Sequence, residues 1–475
     1  MVNASSYHES PTLDPAYAAP LLSYKIHSPS TCTSTARSGK LSLHLRDGST
    51  EPELLQTMAT PGLVSTAPRG AVTHLTPDNL KRCSTQGVHL SLEHFLEFQP
   101  PPYSAAPFPL DHFLGLNPAQ THRTHSSTSD GSRAPAKRMK GEGSRILSSM
   151  SLREQSCERG QNGDDKTRSV PTNGDTDAVA LGGRGVVRVS PRQYLDWTLP
   201  RPPDLLFTLA DEPSEHTPSK KRLEKSVKRS LVWLDEIARG AQGRTNVFAT
   251  LVGNDDSARR TEFSKALLGQ SSSRATVTAK PTSPIDPLLS GYVANCSSSP
   301  SAALLNASLD PLPKTKPRIA HCPSGPHEIL RLIRDVGFDL VVEEWSQTCS
   351  THGIALDFDF PPTSSESRDI GTNLYLKEHE YSFSSLSTSS LAPDEQNHPF
   401  GPSPPTRSYV HHLLLAHEMT SHVILALHNQ IVMLNFFESI RTVLSGSDGE
   451  DRFKEAVKQF EEVYRDREEN GEYLC

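Results

Sequence analysis

The chain has 475 residues, and its 48 Lys+Arg against 55 Asp+Glu give a formal net charge of −7. A charge this close to balance does not indicate a nucleic-acid-binding protein as a whole, although a local basic patch stays open. Only 35% of the residues are hydrophobic and 38 are proline, so we expect part of the chain to fold and part to stay disordered. Seven scattered cysteines without a Cys-x-x-Cys pair exclude a disulfide scaffold and favour a reducing compartment.

Composition divides the chain into six segments. Stretches rich in Ser, Pro, Thr or Gly have few apolar residues to bury against the entropy of ordering, and residues 116–183 contain no Phe, Tyr or Trp. The predicted segments are a disordered tail (1–35), the first part of a folded domain (36–115), a disordered insertion (116–183), the rest of that domain with a Ser/Pro-rich loop near 270–315 (184–360), a low-complexity linker (361–405) and a C-terminal helical subdomain (406–475).

Short strands alternate with helices along the folded segments. Residues 205–209 and 246–252 predict buried strands, and residues 220–238 predict a basic amphipathic helix between them. Thr76 and Ser190 are each followed by proline, which is typical of a capped helix start. This alternation predicts an α/β fold, an irregular (β/α)8 TIM-type barrel enlarged by loops.

Catalytic motifs are scarce. His417 and His422 lie five residues apart, about 140° around a helix, so they do not form the paired zinc ligands of a metalloprotease. The sequence has no phosphate-binding loop, dinucleotide fingerprint or Gly-x-Ser-x-Gly elbow. The sequence contains no run of about 18 apolar residues, so it predicts no integral membrane segment. Its N-terminus resembles neither a secretory signal nor a transit peptide.

An ordered set of motifs resembles the tRNA-guanine transglycosylases (queuine tRNA-ribosyltransferases). In chain order these motifs are residues 37–41 (RSGKL), 72–80 (VTHLTPDNL), 203–204 with 209–212 (PD, LADE), 225–235 (KSVKRSLVWLD), 316–319 with 326–329 and 337–340 (KPRI, PHEI, GFDL), and 406–419 (TRSYVHHLLLAHEM) followed by His428 and Asn429. The resemblance is strongest to the accessory, non-catalytic subunits of eukaryotic members.

The departures from the family pattern concern its catalytic residues. Catalytic members carry an aspartate nucleophile in an FDCVxPTR stretch, and here Val342 stands at that position. Valine has no lone pair with which to attack a ribose carbon. Glu343 is one residue away, which on a strand points it to the other face. The family's DSGGFQ segment is missing, and prolines replace its base-binding glycine loop, so we predict no catalytic residue in this chain.

The resemblance also implies a structural zinc bound by a CxCxxC motif and a later histidine. His428 matches that histidine, but the aligned residues 397–405 contain no cysteine, and His398 is the one other candidate ligand there. The alternatives are loss of the zinc site or an error in the sequence over residues 385–405. We favour a chain without this zinc and without another cofactor.

The sequence therefore predicts a non-catalytic accessory subunit. The resemblance implies a heterodimer with a catalytic queuine tRNA-ribosyltransferase subunit, which replaces guanine by queuine at the wobble position of tRNA. It implies a cytoplasmic protein, with peripheral attachment to the mitochondrial outer membrane left open. On the helical segment 406–445, Tyr409, His412 and Phe437 are candidate contacts to the partner, and packing within the chain is the alternative that we favour for any one of them. The residues expected to contact tRNA phosphates are Lys220, Lys221, Arg222, Lys225, Lys228 and Arg229.

Two other hypotheses stay open. The first is an independently active transglycosylase that uses a displaced carboxylate, such as Glu343, Asp339 or Asp357. The second is a degenerate barrel that acts as a scaffold through its Ser, Pro and basic insertions.

Overall fold

The computed structural model of the protein describes residues 19–27, 35–46, 52–117, 145–155, 172–213, 218–270, 283–393, 399–401, 404–446 and 448–465. The strands within these ranges are β1 (Leu21–Ile26), β2 (Gly39–His44), β3 (Leu54–Thr60), β4 (Gly62–Thr66), β5 (Gly87–Ser91), β6 (Leu147–Ser151), β7 (Ala178–Gly182), β8 (Gly185–Val189), β9 (Leu205–Phe207), β10 (Asn246–Leu251), β11 (Gly291–Asn295), β12 (Arg318–His321), β13 (Leu340–Glu343), β14 (Ile354–Leu356) and β15 (Gly371–Asn373). The helices are α1 (Pro77–Arg82), α2 (Leu110–Phe113), α3 (Pro191–Thr198), α4 (Lys220–Gly240), α5 (Ser257–Leu267), α6 (Ala302–Leu309), α7 (Pro326–Asp335), α8 (Trp345–Thr351), α9 (Arg407–Leu415), α10 (Met419–Leu444) and α11 (Gly449–Val463).

Eight parallel strands in the described part of the chain close into a barrel. Their order is β4, β5, β6, β9, β10, β11, β12 and β13, and β13 pairs back onto β4. Helices lie between successive strands in the sequence, as in α4 between β9 and β10 and α7 between β12 and β13. The predicted fold class, a TIM-type α/β barrel, is confirmed.

Local sequence signals explain several helix boundaries. The Thr76 side chain accepts a hydrogen bond from the backbone N–H of Asn79, which caps α1. Ser190 and Gln193 form a reciprocal capping box at the start of α3. On α4, Val227 lies on the buried side together with the leucines one and two turns further on, as the predicted amphipathic pattern requires.

A three-stranded antiparallel sheet of β1, β2 and β3 precedes the barrel and packs against its interior. Leu41, Leu43 and Met58 of this sheet belong to the same apolar cluster as Leu340 and Ile319 of the barrel strands. The prediction of a disordered tail over 1–35 is therefore wrong for residues 21–26, which form β1. The backbone of β1 pairs with β2 along its whole length, and this antiparallel pairing supplies the hydrogen bonds that order these residues.

The predicted insertion over 116–183 is also wrong in part, because it contains barrel strand β6 and hairpin strand β7. Aromatic residues are not required at β6, since Leu147 and Met150 fill the apolar positions. Ser148 is buried, and its hydroxyl and N–H both donate to the Asp204 carboxylate, at 3.2 and 2.8 Å. Residues 118–144 and 156–171 lie outside the described residues.

The C-terminal segment is helical, as predicted, and comprises α9, α10 and α11. The break between α9 and α10 falls near His417, whose φ of 56° is left-handed. Phe436 of α10 and Phe460 of α11 belong to the main core that surrounds the barrel, so these helices are part of the same packed body. Among the described residues, α10 alone is long and apolar enough to cross a membrane, but most of that stretch is buried within the protein.

Candidate functional site

Val342, the residue that the motif resemblance predicts at the position of the family nucleophile, points into the barrel interior. It lies in one apolar cluster with Val64, Phe248 and Val293, which come from three other barrel strands and can meet only inside the barrel. Its side chain is fully buried. This position therefore carries an apolar side chain in apolar surroundings, and the side chain can act neither as a nucleophile nor as a proton acceptor.

Glu343 faces the opposite side of the barrel wall, as predicted from strand alternation. Its carboxylate accepts hydrogen bonds from the backbone N–H and the hydroxyl of Ser346 in α8, the latter at 3.0 Å. The side chain is fully buried, and burial raises its pKa to about 7 although the hydrogen bonds from Ser346 oppose that rise. Glu343 thus caps the helix that follows β13 and does not enter the barrel.

Asp339 lies just before β13 and joins this strand to the N-terminal sheet. Arg37 Nε donates to Asp339 Oδ1 at 2.9 Å, and the backbone N–H of Arg318 donates to Oδ2 at 2.7 Å. The hydroxyl of Tyr24 donates to Oδ1 as well, at 2.5 Å. Asp339 is fully buried, so this carboxylate is a structural anion with a guanidinium partner.

Asp357 follows β14 and is held by residues 387–389. Asp357 Oδ1 accepts hydrogen bonds from the hydroxyl of Ser387 and the N–H of Thr388, at 2.8 and 2.9 Å, and Arg407 Nη2 lies 3.2 Å from Oδ2. All three carboxylates considered for a displaced nucleophile are therefore engaged in hydrogen bonds that hold the fold together.

The carboxyl ends of the barrel strands carry a histidine pair that the sequence analysis missed. The rings of His89 and His321 meet edge-on with centroids 4.6 Å apart, and the ring of Phe207 stacks on His89 at 4.9 Å. His89 Nδ1 and Nε2 lie 2.9 and 3.0 Å from the hydroxyls of Ser149 and Ser151. The available signal in the sequence was a polar side chain, His89, between the apolar residues Val88 and Leu90 of a short strand.

Both histidines are held neutral. Burial lowers the pKa of His321 to about 4, and burial with the neighbouring His321 lowers the pKa of His89 well below its usual value. Active sites of TIM barrels lie at this end of the strands. The arrangement can exchange hydrogen bonds with neutral groups, and it contains no attacking carboxylate.

Glu212 is an acidic group near the same end of the barrel, just after β9. Asn295 Nδ2 donates to Glu212 Oε2 at 2.9 Å and to Gln155 Oε1 at 3.1 Å. Burial raises the pKa of Glu212, while Asn295 and the charge of Arg260 oppose the rise. Its carboxylate is thus bound to a neutral amide at the end of β11.

The six predicted tRNA contacts divide into two groups. All lie on α4: Lys220, Lys221, Arg222, Lys225, Lys228 and Arg229. Arg222 donates to both oxygens of Asp211, at 2.7 and 2.8 Å, and the buried Arg229 pairs with Asp211 and Asp175. Lys225 lies 3.0 Å from Asp175. The two arginines and Lys225 therefore form ion pairs within the chain, whereas Lys220, Lys221 and Lys228 form the exposed group.

The donors for a family-type zinc do not fit. His428 is buried on α10, and its Nε2 lies 3.0 Å from the carbonyl oxygen of Leu356. Residues 399–401 and 404–405 of the aligned segment contain no cysteine, and His398 lies outside the described residues. Zinc in structural sites takes four ligands. One histidine bound to a backbone carbonyl does not provide such a set.

One other group of ligand-type side chains lies close together among the described residues, namely Glu93, His94 and Glu154. The Glu93 carboxylate already accepts hydrogen bonds from the backbone N–H groups of Glu154 and Leu181, at 2.6 and 3.0 Å. His94 Nε2 lies 3.3 Å from Glu154. These contacts join β5, β6 and β7, which accounts for the cluster without an ion.

Comparison with known proteins assigns the fold to a family. The family model described as queuine tRNA-ribosyltransferase matches residues 173–466, which is more than half of the chain. The chain belongs to the queuine tRNA-ribosyltransferase family. The resemblance deduced from its motifs is thereby confirmed.

Three curated relatives within the queuine tRNA-ribosyltransferase family carry the name "Queuine tRNA-ribosyltransferase accessory subunit 2". The protein from Schizosaccharomyces pombe is 26% identical over 289 residues, covering 59% of this chain and 58% of its own length. Those from Xenopus laevis and Homo sapiens are 29% and 27% identical, each over 60% of this chain and over 74% and 73% of their own lengths. The match to the fission-yeast protein thus spans less than two thirds of that relative.

Proposed function

We propose that this chain is the non-catalytic accessory subunit of a heterodimeric queuine tRNA-ribosyltransferase. Its catalytic partner would replace guanine by queuine at the wobble position of tRNA, and this chain would contribute a partner surface and a tRNA-contacting helix. The single observation that carries the proposal is Val342, a buried hydrocarbon side chain at the position of the family nucleophile.

Base exchange by double displacement requires a group that attacks the ribose and later leaves it. A carboxylate does both: its oxygen bonds to the ribose carbon as guanine leaves, and the incoming base then displaces the carboxylate from that carbon. Val342 can do neither, and Glu343, Asp339 and Asp357 are held by Ser346, by Arg37 and by residues 387–389. The names of the relatives support the accessory role, and the cytoplasmic location stays part of the proposal.

The partner surface is proposed on the exposed aromatic face beside α9. Tyr381 and Phe383 are 78% and 79% exposed, and Tyr409 is 49% exposed. The backbone N–H of Ser408 donates to the carbonyl of Ser382 at 2.8 Å, so these three rings lie on adjoining segments. Large exposed aromatic side chains on adjoining segments are typical of interaction sites. Phe437, the third candidate contact, is buried in the core, as the favoured packing alternative predicts, while His412 is exposed.

The experiment combines copurification with an exchange assay. We expect the full chain to copurify with the catalytic subunit of the same organism, and to incorporate no labelled guanine into tRNA when it is alone. Tyr381→Ser with Phe383→Ser should reduce copurification, whereas Phe98→Ser, which removes a 53% exposed aromatic elsewhere, should not. Guanine exchange by the chain alone would favour the independently active enzyme, and intact copurification of the double variant would reject this surface.

A further inference from the structure

The family pattern places a zinc ion between the segment before α9 and helix α10, and the donors in this chain do not fit it. A different set of contacts holds the same region. Two aspartates that follow β14, Asp357 and Asp359, accept hydrogen bonds from a serine-rich turn, residues 387–390. We call this set, together with Arg407 and Arg368, the aspartate–serine clamp.

Asp357 forms the first half of the clamp. Its Oδ1 accepts hydrogen bonds from the Ser387 hydroxyl at 2.8 Å and from the backbone N–H groups of Thr388 and Ser389 at 2.9 and 3.1 Å. Its Oδ2 faces Arg407 Nη2 at 3.2 Å. Because Arg407 is the first residue of α9, this carboxylate joins the turn, the strand end and the helix.

Asp359 forms the second half. Its Oδ1 accepts hydrogen bonds from both the N–H and the hydroxyl of Ser390, each at 2.7 Å, and from the hydroxyl of Ser389 at 3.2 Å. Its Oδ2 accepts from Thr363 at 2.9 Å and from Arg368 Nη2 at 3.0 Å. Hydrogen bonds from Ser390, Thr363 and Arg368 lower the pKa of Asp359 against the opposing effect of burial.

Helix α10 is joined to β14 without the clamp or a metal. His428 Nε2 and the Leu356 carbonyl oxygen are 3.0 Å apart, and Asn429 Oδ1 accepts from the N–H of Leu356 at 2.9 Å. Asn429 Nδ2 also donates to the Ile354 carbonyl oxygen and the Ser350 hydroxyl, each at 2.9 Å. The histidine that binds zinc in the family pattern thus contacts a strand backbone here.

The charges of the clamp are already balanced within the chain, which disfavours a divalent cation between the two aspartates. Asp357 and Asp359 carry two negative charges, and Arg407 and Arg368 supply two positive charges. Each of the four carboxylate oxygens already accepts at least one hydrogen bond. A cation would have to compete with these donors and with the two guanidinium groups for the carboxylate oxygens, which are the ligands that hard cations take.

We propose that this chain dispenses with the family's structural zinc, and that the aspartate–serine clamp takes over its role of holding the segment before α9. This inference rests on family membership and on the contacts above. It does not depend on the accessory role, because a zinc-free fold is compatible with either activity.

The test measures metal content and thermal stability of the full chain, purified from cells grown with added zinc. We expect far less than one zinc per chain by mass spectrometry of metals, and the same Tm with and without 1,10-phenanthroline. About one zinc per chain that survives desalting, together with a lower Tm after chelation or loss of the metal in His428→Ala, would overturn the proposal. Copurification with the catalytic subunit is scored separately, so the two proposals can fail independently.

Clamp variants provide the positive evidence. Asp359→Asn should lower Tm and expose residues 384–393 to limited proteolysis, and Ser390→Ala should do so more weakly because its backbone N–H remains a donor. Asp451→Asn is the matched control, because that carboxylate is 90% exposed and its neighbour Lys454 lies 3.9 Å away. Clamp variants that behave like Asp451→Asn would show that the turn is held by other means and would reject the clamp.

Discussion

Val342 and Glu343 are consecutive residues of β13, and their side chains lie on opposite sides of the barrel wall. Val342 packs among apolar side chains inside, and Glu343 binds Ser346 of α8 outside. A strand of period two separates neighbours in this way. The Glu343 carboxylate is therefore separated from the barrel interior by the strand itself, although it is only one residue from Val342.

Restoring an acid at Val342 should not restore catalysis. We expect Val342→Asp to lower the free energy of unfolding by several kcal/mol, because a carboxylate buried among hydrocarbon loses its hydration without gaining a partner. Chemical unfolding and labelled-guanine exchange measure both effects. Val342→Thr is the isosteric control and should cost less, since its hydroxyl is uncharged. A stable, exchange-active Val342→Asp variant would mean that the rest of a catalytic site persists.

Glu343 should make stability depend on pH. Its folded pKa of about 7 lies above the ordinary value of 4.5, so the folded state binds more protons between those values, and stability falls as pH rises through that window. Glu343→Gln removes this titration and should be more stable than the parent at pH 8 by roughly 3 kcal/mol, the equivalent of such a shift. Denaturant unfolding from pH 4.5 to 8 measures the difference. Equal slopes in parent and variant, or a comparable change in the exposed-site control Glu366→Gln, would contradict it.

The exposed lysines of α4 should contribute to tRNA affinity through phosphate contacts. Each phosphate contact that is lost should reduce the slope of log affinity against log salt concentration by about one unit. Replacing Lys220, Lys221 and Lys228 together by Gln should therefore flatten that slope, as measured with the accessory–catalytic complex. Lys458→Gln on α11 is the control, since that side chain is 67% exposed and lies on another helix. An unchanged slope in the triple variant would remove α4 from the tRNA surface.

Arg37 should be essential for the junction between the N-terminal sheet and the barrel. Arg37→Met leaves the Asp339 carboxylate buried without its guanidinium, which typically costs about 3–5 kcal/mol. Arg188→Met breaks an ion pair in which Arg188 is 53% exposed, and it should cost less than about 1 kcal/mol. Unfolding free energies of the two variants give the comparison. Similar costs for both would show that Asp339 is stabilised by Tyr24 and the backbone alone.

The barrel was predictable because its strands and helices carry strong periodic signals. The apolar run at 205–209 and the amphipathic stretch at 220–238 correspond to β9 and α4, with boundaries that differ by about two residues. The position of Val342 was also predictable, since the motif around 337–340 sets its register. These features depend on residues that are close together along the chain, so their periodicity can be recognised in the sequence alone.

Several of the failures share one physical cause, namely polar residues that are buried through partners distant in the chain. Ser148 appears in a stretch of disordered composition, yet it is satisfied by Asp204, 56 residues away. Arg229 looks like a solvated helix residue, but Asp175 and Asp211 neutralise it. The sequence of residues 387–390 is typical of a linker, but in the structure these residues donate hydrogen bonds to Asp357 and Asp359, which follow β14. Composition alone cannot reveal such partners.

The sheet order of the barrel bears on how the protein can be divided. The family match begins at residue 173, whereas β4, β5 and β6 end by Ser151 and complete the ring between β13 and β9. A fragment that begins at the start of that match would keep five of the eight barrel strands. Its sheet would have two unpaired edge strands, whose free backbone groups can pair with other copies of the chain. Homology boundaries are thus a poor guide for expressing this protein, and its independent folding unit has to include the residues from Leu21 onwards.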